Sequence, residues 1–275
     1  MIDTHAHLSG LAPRGVDPHQ TLRALFEGGF GGIIDISLEP GDLAERIREF
    51  SVYPRIRFAS GLWPHAASIA ARRDLAPELE AALRSAPPGL VCALGEFGLD
   101  HYRNGADHAP AENGETGSPD FAGDPGGERE LMETQLDMAR RLSLPVIIHS
   151  RDAPEETAEI LAAFPGVSGV IHCYSYGPEE LGRFLDLGYY ISFAGNITYK
   201  NAQNIREASK LVPADRIFFE TDCPYLAPVP HRGKPAHPGM VEAAYKEAAA
   251  VRGTEPEALA SRAAANVEAL FGVRF

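Results

Sequence analysis

Two histidines near the start of the chain, His5 and His7, are spaced to act together on a divalent cation. They lie in a short apolar run, residues 2–7, that has the composition of a buried strand. Side chains at i and i+2 of a strand share one face, so both imidazoles would project together with Asp3 beside them. Two imidazoles do not fill a coordination sphere. The pair therefore indicates either half of a metal site or an exposed pair without a ligand.

Eight short apolar runs alternate with helical or loop stretches along the chain. They cover residues 2–7, 32–37, 57–61, 90–95, 145–149, 169–172, 189–192 and 217–220. Runs that are apolar on both faces are typical of a buried parallel sheet. The stretches between them carry apolar residues at helical spacing, and Pro178 and Pro256 are placed as first-turn prolines. Eight strand–helix alternations predict an α/β fold, the (β/α)8 TIM barrel.

Polar side chains follow several of these predicted strands. In a (β/α)8 barrel the carboxyl ends of all strands meet at one rim, where the chemistry of such enzymes takes place. A single histidine that ends an apolar run is usually structural, but a whole set at one rim favours a metal site. The candidate ligands at this rim are His5, His7, Glu96, His149, His172 and Asp222.

Composition restricts the class of protein. The 275 residues are 44% hydrophobic and carry a net charge of −13, which excludes the basic footprint of a general nucleic-acid binder. A phosphodiester substrate would therefore rely on bound cations and a few local basic groups. No apolar run approaches the roughly 20 residues of a membrane span, and we expect neither a membrane partner nor a secretory signal. We predict one domain, residues 1–275, in the cytoplasm.

The three cysteines, Cys92, Cys173 and Cys223, are too few and too scattered for a disulfide framework. We interpret all three as small buried apolar residues. Cys173 directly follows the candidate ligand His172, so strand alternation predicts that its thiol faces away from the metals.

One segment, about residues 104–127, interrupts the alternation of strands and helices. It is rich in Gly, Pro, Asp and Glu, has almost no apolar residues, and leaves from the predicted active-site rim. Loops of this length are usually functional or disordered. We interpret it as a mobile flap or a disordered insert, and a metal-binding role for His108 is the less favoured alternative.

Five motifs, taken together, resemble the TatD family of metal-dependent deoxyribonucleases in the metallo-dependent hydrolase superfamily. They are Asp3-Thr4-His5-Ala6-His7, Gly95-Glu96-Phe97-Gly98-Leu99-Asp100, the stretch from Pro145 to Ala153, Ile171-His172-Cys173-Tyr174-Ser175, and Glu220-Thr221-Asp222-Cys223-Pro224-Tyr225-Leu226. The resemblance runs nearly end to end and extends to residues 195–202 and 266–271. The order and spacing of the motifs make the match far more specific than any one motif.

The resemblance implies two divalent ions in the barrel mouth. His5, His7 and Asp222 would hold one ion, His149 and His172 the other, and Glu96 would bridge them. A bridging carboxylate suits two cations about 3.5–4 Å apart, as two-metal phosphoesterases require. The ligands are nitrogen and oxygen without thiolate, which suits Zn, Mn, Mg, Ni or Fe and leaves the identity open.

The reaction that the resemblance implies is hydrolysis of phosphodiester bonds in DNA, single-stranded or at ends. Metal ions would lower the pKa of a water, and Asp222 would be both a ligand and the general base, so Asp222 and Glu96 are the predicted catalytic residues. A monomer is favoured, although the sequence does not determine the oligomeric state.

Four further residues are candidates for binding the substrate. The stretch Gly61-Leu62-Trp63-Pro64-His65 resembles the family's Gly-x-His-Pro-His element, with Trp63 in place of the first histidine. His65 could donate to a phosphate, and Trp63 could stack on a base. Packing at the rim is an equal alternative for Trp63, as an ordinary ion pair is for Arg151 and Lys200.

The chain departs from the family pattern after strand eight, where Ala236-His237 replaces the usual Asn-Glu. Because this loop borders the site, the resemblance is a better guide to the type of reaction than to the substrate. His237 could also approach a ligand. The main alternative is a related barrel hydrolase that cleaves a lactone, an amide or a small phosphoester. A barrel that binds metal without turnover is a third possibility, against which the full ligand set argues.

Overall fold

The computed structural model describes residues 1–37, 39–104 and 124–275, and in this part of the chain eight parallel strands form one sheet in sequence order. The strands are β1 (Ile2–Ala6), β2 (Gly32–Ser37), β3 (Ile56–Ser60), β4 (Val91–Asp100), β5 (Val146–Arg151), β6 (Gly169–Ile171), β7 (Tyr190–Phe193) and β8 (Ile217–Phe219). The helices between and after them are α1 (Pro18–Glu27), α2 (Leu43–Phe50), α3 (Ala66–Ala70), α4 (Arg72–Ser85), α5 (His101–Asn104), α6 (Pro125–Leu142), α7 (Pro154–Ala162), α8 (Pro178–Asp186), α9 (Gln203–Leu211), α10 (Val241–Arg252) and α11 (Pro256–Phe271).

The first and last strands meet at their carboxyl ends and close the sheet into a barrel. Ala6 and Cys223 form a parallel bridge. The Asp222 amide donates to the His5 carbonyl at 2.9 Å, and the His7 amide donates to the Cys223 carbonyl at 2.8 Å. The predicted (β/α)8 barrel is therefore confirmed, and its seam runs through three proposed metal ligands.

Apolar residues pack in two layers, inside the barrel and between the sheet and the helices. Ile34 and Ile36 of β2 pack inside with Phe218 of β8, and Phe271 of α11 joins them. Ile33, one residue away from Ile34, instead packs in the outer layer. This alternation follows from the period of two in a strand, and it leaves the carboxyl ends of the strands for polar side chains.

Several helices begin where the sequence predicts. Pro178 and Pro256 occupy the first turns of α8 and α11, which confirms that prediction. Proline suits this position because the first helical amide has no partner within the helix. The Asp17 carboxylate caps α1 by accepting from the Gln20 amide, which satisfies one of those amides. None of the described helices is both long and apolar enough to cross a membrane.

The largest difference from the predicted strands is in β4, which continues to Asp100 instead of ending at residue 95. The extension is paired with β5, and the Asp100 amide donates to the buried Glu128 carboxylate at 2.7 Å. The proposed ligand Glu96 therefore lies within a strand.

Both ends of the insert predicted at 104–127 belong to helices, since α5 ends at Asn104 and α6 begins at Pro125. Residues 105–123 lie outside the described part, so its interpretation there, and that of His108, stays a prediction. A single domain over residues 1–275 also stays a prediction.

Candidate metal centre

The six proposed ligands meet at the carboxyl mouth of the barrel. His5 lies on β1 and Glu96 on β4. The other four ligands lie in or just beyond a strand, in the order β1, β5, β6 and β8. Each strand end therefore supplies only one or two side chains, and the closed sheet brings them together. The remaining four are His7, His149, His172 and Asp222.

Glu96 divides the cluster into two halves. Its Oε1 is 2.8 Å from His149 Nδ1 and 2.8 Å from His172 Nε2. Its Oε2 instead lies 3.3 Å from His5 Nε2 and 3.8 Å from His7 Nε2. The two carboxylate oxygens thus face two different sets of imidazoles, which is the arrangement expected of a bridging ligand.

The donor atoms within each half also lie close together. His7 Nε2 is 3.3 Å from His5 Nε2 and 3.2 Å from Asp222 Oδ1. In the other half, His149 Nδ1 and His172 Nε2 are 3.2 Å apart. Donor atoms of His5, His7 and Asp222, and separately of His5, Glu96 and His172, fall within 4.8 Å of one another. Both groups could hold a metal ion.

The donor set itself fits divalent cations. The four imidazoles form two pairs, His5 with His7 and His149 with His172, whose facing nitrogens are 3.3 and 3.2 Å apart. Neutral imidazoles cannot donate from every one of these nitrogens at once. A divalent cation satisfies such lone pairs together with the carboxylates, and the mixture of nitrogen and oxygen suits transition metals or Mg²⁺.

Groups outside the cluster hold three of the imidazoles through their other nitrogen. His172 Nδ1 is 3.1 Å from Glu220 Oε1, and His149 Nε2 is 3.2 Å from Asp100 Oδ2. His7 Nδ1 lies 3.1 Å from the Ile36 carbonyl. Such partners orient a metal-binding imidazole and strengthen it as a ligand.

The roles of Asp100 and Glu220 were not predicted from the sequence, although both residues lie in motifs that carried the resemblance. The available signal was a carboxylate at the end of a different strand from each histidine, because Asp100 ends β4 and Glu220 directly follows β8. Histidines that bind metal commonly donate their other ring nitrogen to a carboxylate, so both residues were reasonable candidates for this role.

The electrostatics of the cluster favour positive charge beside Glu96. Burial alone would lower the pKa of His172, but the Glu96 and Glu220 carboxylates outweigh it and hold that pKa well above its usual value. Burial alone would raise the pKa of Glu96, but the neighbouring imidazoles, His172 above all, hold it well below its usual value. Glu96 is thus kept ionised, and either protons or divalent cations can provide the positive charge that it attracts.

We expect Glu220→Gln to lower the affinity for metal by about 10- to 100-fold, because loss of such a partner usually has this effect. The amide keeps the shape of the carboxylate but not its charge next to His172. Titration of the chelated protein with Mn²⁺ or Zn²⁺ measures the change. Glu159→Gln, on the exposed surface of α7, is the matched control, and an unchanged affinity in Glu220→Gln would contradict the orienting role.

A cavity of about 510 Å³ opens above the cluster. Two predicted substrate-binding residues, Trp63 and Arg151, line it beside the proposed ligands. The sequence did not predict several other residues that line it. They include Arg103, Ser175, Asn196 and Tyr225.

His65 and Lys200 are not among the described residues that line the cavity. His65 caps α3, because its Nδ1 accepts from the Ser68 amide at 3.1 Å and its Nε2 is 2.7 Å from Glu39 Oε1. The Lys200 side chain is exposed. The structure thus brings Trp63 and Arg151 to the site and leaves His65 and Lys200 outside it. His237 also lies outside the described cavity lining and the candidate metal groups.

The prediction that the Cys173 thiol faces away from the site is wrong, since Cys173 lines the cavity. Strand β6 ends at Ile171, and Cys173 has a left-handed backbone with φ of 46°. The alternation of a strand therefore no longer applies at this residue. Cys92 and Cys223 are buried, as predicted, and burial raises the pKa of Cys92 to about 12.

A (β/α)8 barrel with converging His, Glu and Asp side chains at its carboxyl mouth is typical of the barrel metal-dependent hydrolases. Within this class, the chain belongs to the TatD-related DNase family, whose model matches residues 2–272.

Individual relatives agree with this assignment. The chain is 39% identical over 185 residues to the uncharacterized metal-dependent hydrolase YcfH of Escherichia coli K12, and the match covers 66% of this chain and 63% of that protein. It is 33% identical over 225 residues to a protein of Rahnella named 3'-5' ssDNA/RNA exonuclease TatD, covering 78% of this chain and 76% of that one.

A solved structure is similar along its whole length. The crystal structure of YJJV, a TatD homologue from Escherichia coli K12, superposes with a TM-score of 0.82 at 28% sequence identity. The match covers 99% of this chain and 98% of that one. Fold and family thus agree from end to end.

Proposed function

We propose that the protein is a divalent-metal-dependent deoxyribonuclease that hydrolyses phosphodiester bonds in single-stranded DNA or at DNA ends. The observation that carries this proposal is the division of Glu96, whose two oxygens face two separate groups of ligands at distances of 2.8 to 3.8 Å. Membership of the TatD-related DNase family and the name of the Rahnella relative support it.

In this proposal two ions share the site. His5, His7 and Asp222 would hold one, His149 and His172 would hold the other, and Glu96 would be shared between them. The ions are drawn from Zn, Mn, Mg, Ni and Fe. When bound, divalent cations lower the pKa of water and offset negative charge on phosphoryl oxygens.

Asp222 is the residue best placed to move a proton. Its side chain is 17% exposed, whereas that of Glu96 is 5% and that of His5 is 1% exposed. Asp222 also lines the cavity, so its carboxylate can orient the attacking water and accept its proton. Glu96, buried below it, keeps the two halves of the cluster at a fixed separation.

Local cations compensate for the overall negative charge of the chain. The net charge is −13, but Arg103 and Arg151 both line the cavity. Their guanidinium groups can donate to phosphate oxygens in a planar fork. We propose that this local charge binds the substrate, that the enzyme acts as a monomer, and that it works in the cytoplasm.

The experiment is to chelate the protein, restore it with each candidate metal, and assay single strands labelled at the 3′ or the 5′ end. A duplex and a panel of lactones serve as competing substrates. We expect close to two metal ions per chain and cleavage of single strands that depends on metal. Hydrolysis of a lactone without hydrolysis of any phosphodiester would overturn the proposal and favour the alternative reaction.

A further inference from the structure

Two aromatic rings at the mouth of the cavity each contact a different half of the ligand cluster. The Trp63 ring meets His149 edge to face, with ring centroids 5.6 Å apart. The Tyr225 ring meets His7 in the same way at 6.1 Å. His149 faces Glu96 Oε1 and His7 faces Glu96 Oε2. A phosphate held above Glu96 therefore has one aromatic ring on the side of each half.

An arginine guanidinium also lies over each of the two rings. The guanidinium carbon of Arg103 lies 5.2 Å from the Trp63 ring centroid, and that of Arg14 lies 4.6 Å from the Tyr225 centroid. We call these two combinations, Trp63 with Arg103 and Tyr225 with Arg14, the stacking pairs. Unpaired bases stack on aromatic rings and on guanidinium planes, and arginine also donates to phosphate.

The backbone that carries each ring is fixed to the site. The Tyr225 amide donates to the Asp222 carbonyl at 2.9 Å. Next to Trp63, the backbone of Leu62 is held on both sides by Gln135, at 2.8 and 3.1 Å. Tyr225 is 45% exposed, so its ring is accessible from solvent. The rings thus keep their positions relative to the ligands while part of their surface stays accessible.

We infer that the two stacking pairs bind the nucleotides on either side of the scissile phosphate, one base at each pair. This inference rests on the proposed function and deepens it. A base in a duplex is already stacked and paired, so only an unpaired strand can place two successive bases on two separate rings. The stacking pairs would thereby select single strands.

Binding can be followed without turnover. The chain contains one tryptophan, Trp63, so its fluorescence reports directly on one stacking pair. Titration of the purified protein with a nuclease-resistant phosphorothioate oligothymidylate should quench this fluorescence. Tyr225→Ala should weaken the oligonucleotide by roughly 5- to 100-fold while the quenching at saturation remains. Tyr225→Phe, which keeps the ring, should bind almost as the parent protein does.

Arg14→Ala should weaken the same binding and reduce its dependence on salt, since it removes one contact to phosphate. Arg48→Ala is the matched control, because Arg48 is 76% exposed on α2 and pairs only with Glu45 among its described ion pairs. The control should change neither the affinity nor the salt dependence.

The placement of the two bases is tested with a short strand that has one cleavable phosphodiester and an abasic residue on one side of it. When the abasic residue removes the base that stacks on Trp63, Trp63→Ala should leave kcat/KM nearly unchanged, because that ring has no base to bind. Tyr225→Ala should still lower kcat/KM on the same strand. Moving the abasic residue to the other side should exchange the two responses. Trp63→Phe keeps a ring and serves if Trp63→Ala does not fold.

Methyl p-nitrophenyl phosphate, a diester without bases, separates the two proposals. If the parent protein hydrolyses it and the variants bind the oligonucleotide normally, the stacking pairs are wrong and the proposed function stands. If the abasic substrates give equal responses in both variants, the placement of one base at each pair is wrong. A parent protein that neither cleaves the diester nor binds the strand overturns both proposals.

Discussion

Glu96→Gln is expected to lower kcat/KM for phosphodiester hydrolysis by about 10³-fold or more. The variant keeps the shape of the side chain but removes the charge that faces four imidazoles, three of them within 3.3 Å. Two cations that share a carboxylate supply several kcal/mol of transition-state stabilisation, and about 1.4 kcal/mol corresponds to a tenfold rate. The measurement is the rate on methyl p-nitrophenyl phosphate, together with the number of metal ions bound per chain.

The control for this variant is Glu159→Gln, which changes the same residue type at a side chain that is 71% exposed on α7. It should leave both the rate and the metal content unchanged. Retention of two ions and of near-normal turnover in Glu96→Gln would show that Glu96 does not bridge.

Asp222→Asn is expected to preserve the fold and to lower the rate by about 10² to 10⁴-fold, the usual contribution of a positioned acid or base. Its Oδ1 lies 3.2 Å from His7 Nε2 and 3.7 Å from His5 Nε2. Asparagine can keep one contact through its carbonyl oxygen but cannot accept a proton from water. Turnover rates of the metal-restored protein measure the loss, and circular dichroism checks the fold.

Asp215→Asn provides the comparison, since Asp215 is 70% exposed and lies next to the start of β8. Its rate should match that of the parent protein. If Asp222→Asn turned over at the same rate as Asp215→Asn, Asp222 would have no part in proton transfer.

The barrel and the meeting of the six proposed ligands at its mouth could be predicted because both follow from local patterns. Alternation of apolar runs and helices predicts the barrel, and in a barrel the ends of the strands must meet. A polar residue such as His149, placed where an apolar run ends, can therefore be assigned to the mouth of the barrel without knowing which residues surround it. The spacing of His5 and His7 adds the one local geometric clue, and their Nε2 atoms are 3.3 Å apart in the structure.

The parts of the site that could not be predicted depend on the backbone beyond the strands. Cys173 turns into the cavity through a left-handed conformation, and cysteine has no marked preference that announces such a turn. His65 caps a short helix and contacts Glu39, a residue 26 positions away. Arg14 packs over the ring of Tyr225, a residue 211 positions away along the chain. None of these contacts leaves a periodic signal in the sequence.

The junction between β1 and β8 would give a cation in the proposed site a structural role as well as a chemical one. Buried Asp3 accepts from the Thr221 amide at 2.9 Å and from the Thr221 hydroxyl at 2.6 Å. Just beyond this junction, His5 and His7 approach Asp222, which is 217 residues from His5 along the chain. A cation held by these three side chains would link the first strand to the last, so part of its binding free energy would stabilise the closed barrel against unfolding. Removal of the metal would then be expected to lower the stability of the barrel in addition to removing the proposed activity.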